Sequence, residues 1–146
     1  MTTTTAPSDT QLASRLRLAV MRLARVLRQK AQEGITPSQL SALVSVEREG
    51  PVTLGELAAL EGVQPPTMTR IVAALEEADL VEREVDPADR RISRLHITPG
   101  ARKLLEKNRS RKTAYLASRM RDISDEERDV LARAAALLER MTEGER

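Results

Sequence analysis

Residues 53–98 read TLGELAALEGVQPPTMTRIVAALEEADLVEREVDPADRRISRLHIT, and this stretch decides the fold. Thr53 opens a short helix. With Glu56 it matches the capping box, in which a hydroxyl takes the N3 amide and the N3 side chain reaches back to the cap. Gly62 stops that helix, since glycine enters the left-handed conformation at little cost. Pro65-Pro66-Thr67 then begins a helix over about 65–78, with Met68, Ile71, Val72 and Leu75 on its inner face. Val81–Val85 and Ile92–Ile97 are rich in β-formers and similar in length, which predicts a hairpin with the tip Asp86-Pro87-Ala88-Asp89-Arg90-Arg91. An isolated hairpin is marginal in water, so this one must pack on the helices, through residues such as Leu95 and Ile97. Helix, glycine turn, helix and cationic two-strand wing is the order of a winged helix-turn-helix, with one helix for a major groove and a loop placed to reach the backbone or minor groove beside it.

Outward from this stretch the helix starts repeat the same chemistry. Ser8 and Gln11, Thr36 and Gln39, and Ser124 and Glu127 match the capping box as well. Pro37 and Pro99 stand at first helical positions, where proline is best tolerated. A first helix over about 9–32 carries the stripe Leu12, Leu16, Ala19, Leu23, Val26 and Leu27. A second, about 37–48, carries Leu40, Leu43 and Val44 and ends at Glu49-Gly50-Pro51, before a short extended piece at Val52. After Thr98 the helical markers are Ala101, Leu104, Leu105, Leu116, Met120 and Ile123, interrupted by the polar stretch 106–113. The last helix opens at Ser124 and repeats Val130, Leu131, Ala134, Leu137, Leu138 and Met141 at close to 3.5-residue spacing, the period of helices packed along a seam. Residues 142–146 are expected to fray.

These elements predict a mainly α fold with a small β-wing, forming one domain over 1–146. Residues 36–98 are its winged helix-turn-helix lobe, and 9–35 and 99–143 are flanking dimerisation helices. Burying one leucine is worth about 1.5–3 kcal/mol, so the long terminal stripes must be covered. The simplest cover is a two-fold homodimer through Leu12, Leu16, Leu131, Ala134, Leu138 and Met141. The alternative is an intramolecular bundle packed onto the lobe.

Composition narrows the function. Of 146 residues, 40 % are hydrophobic, yet there is no Phe or Trp and a single Tyr, Tyr115, so the core is aliphatic. Cysteine is absent, which removes disulfides, thiolate metal sites and thiol redox sensing. No apolar run approaches the ~18 residues that span a bilayer, and the threonine-rich start Met1–Ala6 lacks the pattern of a secretion signal. A cytoplasmic protein without membrane contact is expected. His96 is the one histidine, in a strand with no partner, and the carboxylates sit at helix caps and on solvated faces. An enzyme, a metal site and a cofactor are therefore not expected. Net charge is only +2, from 24 Lys+Arg against 22 Asp+Glu, but the charge is clustered. Arg15, Arg17, Arg22, Arg25, Arg28 and Lys30 crowd the first helix, and Arg90, Arg91 and Arg94 sit in the hairpin. Such local patches attract a polyanion.

The helix over 65–78 leaves Gln64, Pro66, Thr67, Thr69 and Arg70 at its exposed start. Small residues there allow close approach to base edges, threonine can meet a thymine methyl or a phosphate, and arginine can grip a phosphate or guanine. Free amides at the helix start would add a phosphate contact. In the wing, Asp89 beside two arginines needs a reason. It would hold one guanidinium in a fork so that Arg90 or Arg91 inserts or clamps, and a narrow minor groove suits arginine. Double-stranded DNA is the partner this predicts. A winged module serving only protein interaction or dimerisation is the alternative, but it would leave the wing free to be acidic or apolar. Single-strand RNA recognition usually relies on stacking aromatics, which are missing.

The run Leu57-Ala58, Thr69 to Glu76, Leu80-Val81-Glu82-Arg83, Asp86 to Arg91 and Ile97-Thr98-Pro99-Gly100 closely resembles the MarR family of bacterial transcription regulators. The resemblance implies a homodimer on an inverted-repeat operator, usually repressing until a small-molecule effector intervenes. It also implies Asp89 and Arg91 as the wing pair, with Thr67, Thr69 and Arg70 on the recognition helix. Two departures stand out. Asp79 occupies the place of a glycine common in the family, and Asp tolerates the left-handed conformation better than most residues. Many members bind aromatic acids, whereas this chain offers only Tyr115 as a ring. An effector pocket between the dimer helices and the lobe would be aliphatic, with arginines nearby.

Overall fold

Ser8, Thr36, Thr53 and Ser124 each accept an N3 amide on the side-chain oxygen and receive the N3 side chain on their own amide. All four capping boxes thus form, and each starts a helix. The structure, a computed structural model, describes residues 7–31 and 34–145. The threonine-rich start, residues 32 and 33 at the expected end of the first helix, and Arg146 lie outside the described residues. The order is α1 (Asp9–Lys30), α2 (Pro37–Glu49), α3 (Leu54–Glu61), α4 (Pro65–Glu77), β1 (Val81–Val85), β2 (Ser93–Ile97), α5 (Pro99–Arg119) and α6 (Asp125–Thr142), with a single 3-10 turn at Met120–Asp122.

The chain turns where the residues permit it. Gly62 caps α3 at φ 63°, and Asp79 takes φ 57° between α4 and β1. The buried Thr98 hydroxyl ties that second turn down, donating to the Asp79 carbonyl at 2.8 Å while accepting the Ala101 amide at 3.1 Å. One side chain thereby fixes the wing's root and starts α5. The strands pair antiparallel, Val81 opposite Ile97 and Val85 opposite Ser93, and Val52 adds a bridge to Leu95.

The core lies in the lobe. Leu43, Val46, Leu57, Met68, Val72, Leu75, Val81, Leu95, Ala101 and Leu105 form one buried cluster, joined by Ile97 from the wing. The hairpin does pack on the helices through Leu95 and Ile97. Ile71, expected on the inner face of α4, is only half-buried.

The polar stretch 106–113 does not interrupt the helix: α5 runs unbroken through it. Asn108 is buried there and donates to the Ala31 carbonyl at 3.2 Å, satisfying a carbonyl at the end of α1. Arg109 pairs with Glu47 of α2. The stretch joins the terminal helices to the lobe. By contrast, neither α1 nor α6 buries a single residue. No helix among the described residues is long and apolar enough to cross a membrane.

Candidate nucleic-acid interface

Helix α4 presents its expected start to solvent. Gln64, Pro66, Thr69 and Arg70 are exposed, while Thr67 is half-buried. Behind them Met68, Val72 and Leu75 lock the helix into the core. The Thr69 hydroxyl donates to the Pro65 carbonyl at 2.9 Å. Its proton is spent within the helix, so Thr69 offers outward a methyl and an oxygen lone pair, which suit a base edge better than a phosphate.

The expected phosphate contact through free amides is not built. The first two helical positions, Pro65 and Pro66, have no N–H, and the Thr67 and Met68 amides both return to the Gln64 carbonyl at 3.0 and 3.1 Å. Phosphate contacts from this helix must come from side chains, foremost Arg70.

The wing tip is ordered by its carboxylates. Asp89 accepts the Arg91 amide at 3.0 Å and grips the Arg91 guanidinium as a fork, Nε to Oδ1 at 3.0 Å and Nη2 to Oδ2 at 3.1 Å. The geometry selects Arg91, not Arg90, as the forked partner. With 90 % of its side chain exposed, Arg91 still has its Nη1 hydrogens and one on Nη2 to offer outward. Arg90 is exposed beside it. Asp86 accepts the Ala88 amide at 2.8 Å, the Asp89 amide at 3.3 Å and Arg94 Nη1 at 2.7 Å. Arg94, near the tip end of β2, is therefore held by an ion pair. Asp86 had no assigned role in the sequence, although Asp-Pro followed by free amides is a turn signal. The wing joins the recognition helix through Arg83 of β1, whose Nε donates to Glu76 of α4 at 2.9 Å.

Hydrogen bonds from Arg94 and Arg91 hold the Asp86 and Asp89 carboxyls below the ordinary 3.8. Groups with lowered folded values contribute order that is complete above the ordinary value and is lost only as pH falls through the lowered ones. The ratio of DNA affinities between the parent and Asp89→Asn should thus stay constant from about pH 5 to 8. Anisotropy titrations at fixed salt check this, and a ratio that changes across the window would contradict it.

The expected effector region is small in this conformation. Arg28, Ile35, Pro37, Leu40 and Asn108 line a cleft of about 20 Å³, room for little more than a water. Nearby, burial and then Arg28 and Arg109 push the Lys112 ammonium down. Tyr115 is half-buried, with Lys30 Nζ 5.5 Å from its ring centroid.

Comparison with known proteins adds kinship to this geometry. The profile described as MarR family matches residues 35–93, which spans α2, α3, α4 and the wing up to the first residue of β2. An HTH-type transcriptional regulator of Mycobacterium leprae is 41 % identical over 132 residues, 90 % of this chain and 92 % of the relative. The crystal structure of a Pseudomonas aeruginosa transcriptional regulator superposes with a TM-score of 0.85 at 32 % identity, over 95 % of this chain and 99 % of that one. A Staphylococcus aureus MepR variant bound to an oligodeoxyribonucleotide shares the fold at 22 % identity, TM-score 0.71, over 89 % and 97 % of the two chains.

Proposed function

The chain belongs to the MarR family and is a DNA-binding transcription regulator, and on that premise we propose that it acts as a homodimeric repressor on an inverted-repeat operator. One observation carries the reading: a solvent-facing helix start and an Asp89-held arginine stand on the same rigid lobe, linked through Arg83 and Glu76. Helix α4 reads base edges in the major groove with Gln64, Pro66, Thr67 and Thr69, and Arg70 grips a phosphate beside them. The wing tip, with Arg90 and Arg91, follows the backbone into the minor groove.

The dimer is supported by what one protomer leaves uncovered. It exposes 11209 Å², against about 7,500 Å² expected for a compact monomer of this length. Leu12, Ala13, Leu16, Ala134, Leu138 and Met141 line an open apolar groove of about 350 Å³ between the start of α1 and the end of α6. An intramolecular bundle would have filled it. Residues 9–35 and 99–143 then serve dimerisation while 36–98 bind DNA. Two symmetric recognition helices suit an inverted repeat. A small-molecule effector would relieve repression by favouring a dimer whose helices no longer match the half-site spacing. Arg28 in the lining of the small cleft, with Lys112 within reach of its charge, favours an anionic one.

Selection of bound fragments from genomic duplex DNA tests the reading. It should recover an inverted repeat with half-sites about 34–36 Å apart, one helical turn. Arg91→Ala and Arg70→Ala should weaken binding to all duplexes alike, whereas Thr67→Ala should change which sequence is preferred. Competition binding on the selected site and its base-substituted variants separates the two effects. An Arg91→Ala protein that binds like the parent would remove the wing from the interface.

A further inference from the structure

The tip loop between the strands, residues 86–92, has little to hold it besides side chains. Its backbone closes through only two hydrogen bonds, from the Asp86 amide to the Ile92 carbonyl at 2.8 Å and from the Ile92 amide to the Asp89 carbonyl at 3.0 Å. An arginine on a loosely held loop must be ordered when DNA binds, and that ordering costs affinity. The loop is instead braced by a carboxylate at its start.

Asp86 uses both oxygens. Oδ1 takes the Ala88 and Asp89 amides, and Oδ2 takes Arg94 Nη1 at 2.7 Å. The amide so fixed belongs to Asp89, whose own carboxylate fixes the backbone and guanidinium of Arg91. A continuous chain therefore runs from strand β2 through Arg94, Asp86 and Asp89 to the exposed guanidinium of Arg91. Exposure falls along it in the reverse direction, from 90 % at the Arg91 side chain to 34 % at Asp89 and 19 % at Asp86. Arg94 is 40 % exposed against 90 % for Arg91, and its Nη1 is turned to Asp86 at the start of the loop.

We propose that Asp86 and Arg94 are positioning residues for DNA binding, an ion pair that aims Arg91 through Asp89 while Arg94 itself touches no DNA. This rests on the reading that the wing tip meets DNA. It assigns Arg94 to the wing's interior bracing and gives the otherwise unfavourable carboxylates of a DNA-facing loop a shared task.

A double-mutant cycle on the full chain tests it, with anisotropy of a labelled duplex of mixed sequence in dilute salt, where backbone contacts dominate. Asp86→Ala and Arg94→Ala should each weaken binding about tenfold, as expected when a charged hydrogen bond that orders a contact is lost. The double variant should be no weaker than either single one, because the pair acts as a unit. In an Arg91→Ala background both substitutions should lose most of their effect, a coupling that a merely structural role would not produce. Asp86→Asn keeps one oxygen for the Ala88 and Asp89 amides and sets an uncharged NH2 donor against Arg94 Nη1, so it breaks the pair alone and reports on it where Asp86→Ala fails to fold.

Single losses that multiply to about a hundredfold in the double variant would make Arg94 a DNA contact in its own right and overturn the proposal. Singles that bind like the parent while Arg91→Ala binds weakly would overturn it too, leaving the wing contact standing. An Arg91→Ala protein with parental affinity would sink the wing reading and this proposal together.

Discussion

Raising monovalent salt from 50 to 200 mM is expected to weaken duplex binding by about four orders of magnitude. Local charge sets this dependence, because a net charge of +2 gives the chain little long-range attraction. Each protomer brings Arg70, Arg90 and Arg91 on exposed surfaces, and the proposed two-fold dimer doubles the set. With further side-chain contacts at the rim, about 8 phosphates would be neutralised per dimer, and release of their counterions gives a log–log slope of about −7. Helix-start amides contribute nothing to this, since Pro65 and Pro66 have none and the next two are engaged. The electrostatic term therefore rests on guanidinium groups and can be removed one at a time. Arg91→Ala should flatten the slope by about 2, one phosphate per subunit, without changing the melting temperature. A slope near zero for the parent would mean that threonine and apolar base contacts alone carry affinity, which contradicts the interface described.

The features behind this interface are displayed by the sequence to different degrees. Capping boxes are local: hydroxyl and N3 partner lie three residues apart, so all four could be read directly and all four form. Gly62 was legible for the same reason, as a backbone conformation that few residues accept, whereas the turn at Asp79 was legible through the family resemblance, which puts a glycine there. The Asp89 fork was legible as a problem, a carboxylate where DNA should come, whose solution had to be a neighbouring guanidinium. Spacing alone left Arg90 and Arg91 open, because adjacent residues in a turn point in directions that spacing does not determine; the family resemblance implied Arg91, and the geometry places the fork there. The polar stretch in α5 looked like an interruption because the partners that justify it are remote. Asn108 answers Ala31, 77 residues away, and Arg109 answers Glu47, 62 residues away. The free amides expected at α4 were an error of a different kind. Both prolines were in view, and their missing hydrogens follow from covalent structure alone.

Replacing Leu131 by Lys should convert the dimer to a monomer and abolish tight operator binding. In one protomer Leu131 is 47 % exposed, so a lysine there meets solvent and leaves the protomer's fold intact. Only if this face of α6 closes against a second copy does the ammonium become buried. An unpaired buried charge costs several kcal/mol, and the symmetry of the interface places two in every dimer. A penalty of about 6 kcal/mol raises the dimer dissociation constant by about four orders of magnitude. Leu12→Lys, 51 % exposed on α1, should do the same from the other element of the seam. Loss of pairing would then remove the second half-site, whose linkage to the first is worth about 10²–10⁴ in affinity. Light scattering reads the mass and anisotropy reads the DNA, on the same preparation. Monomers with parental helix content and weak, half-site binding are the expected outcome. If Leu131→Lys stays dimeric, the face of α6 that bears Leu131 lies outside the interface, and the exposed stripe must be covered in some other way.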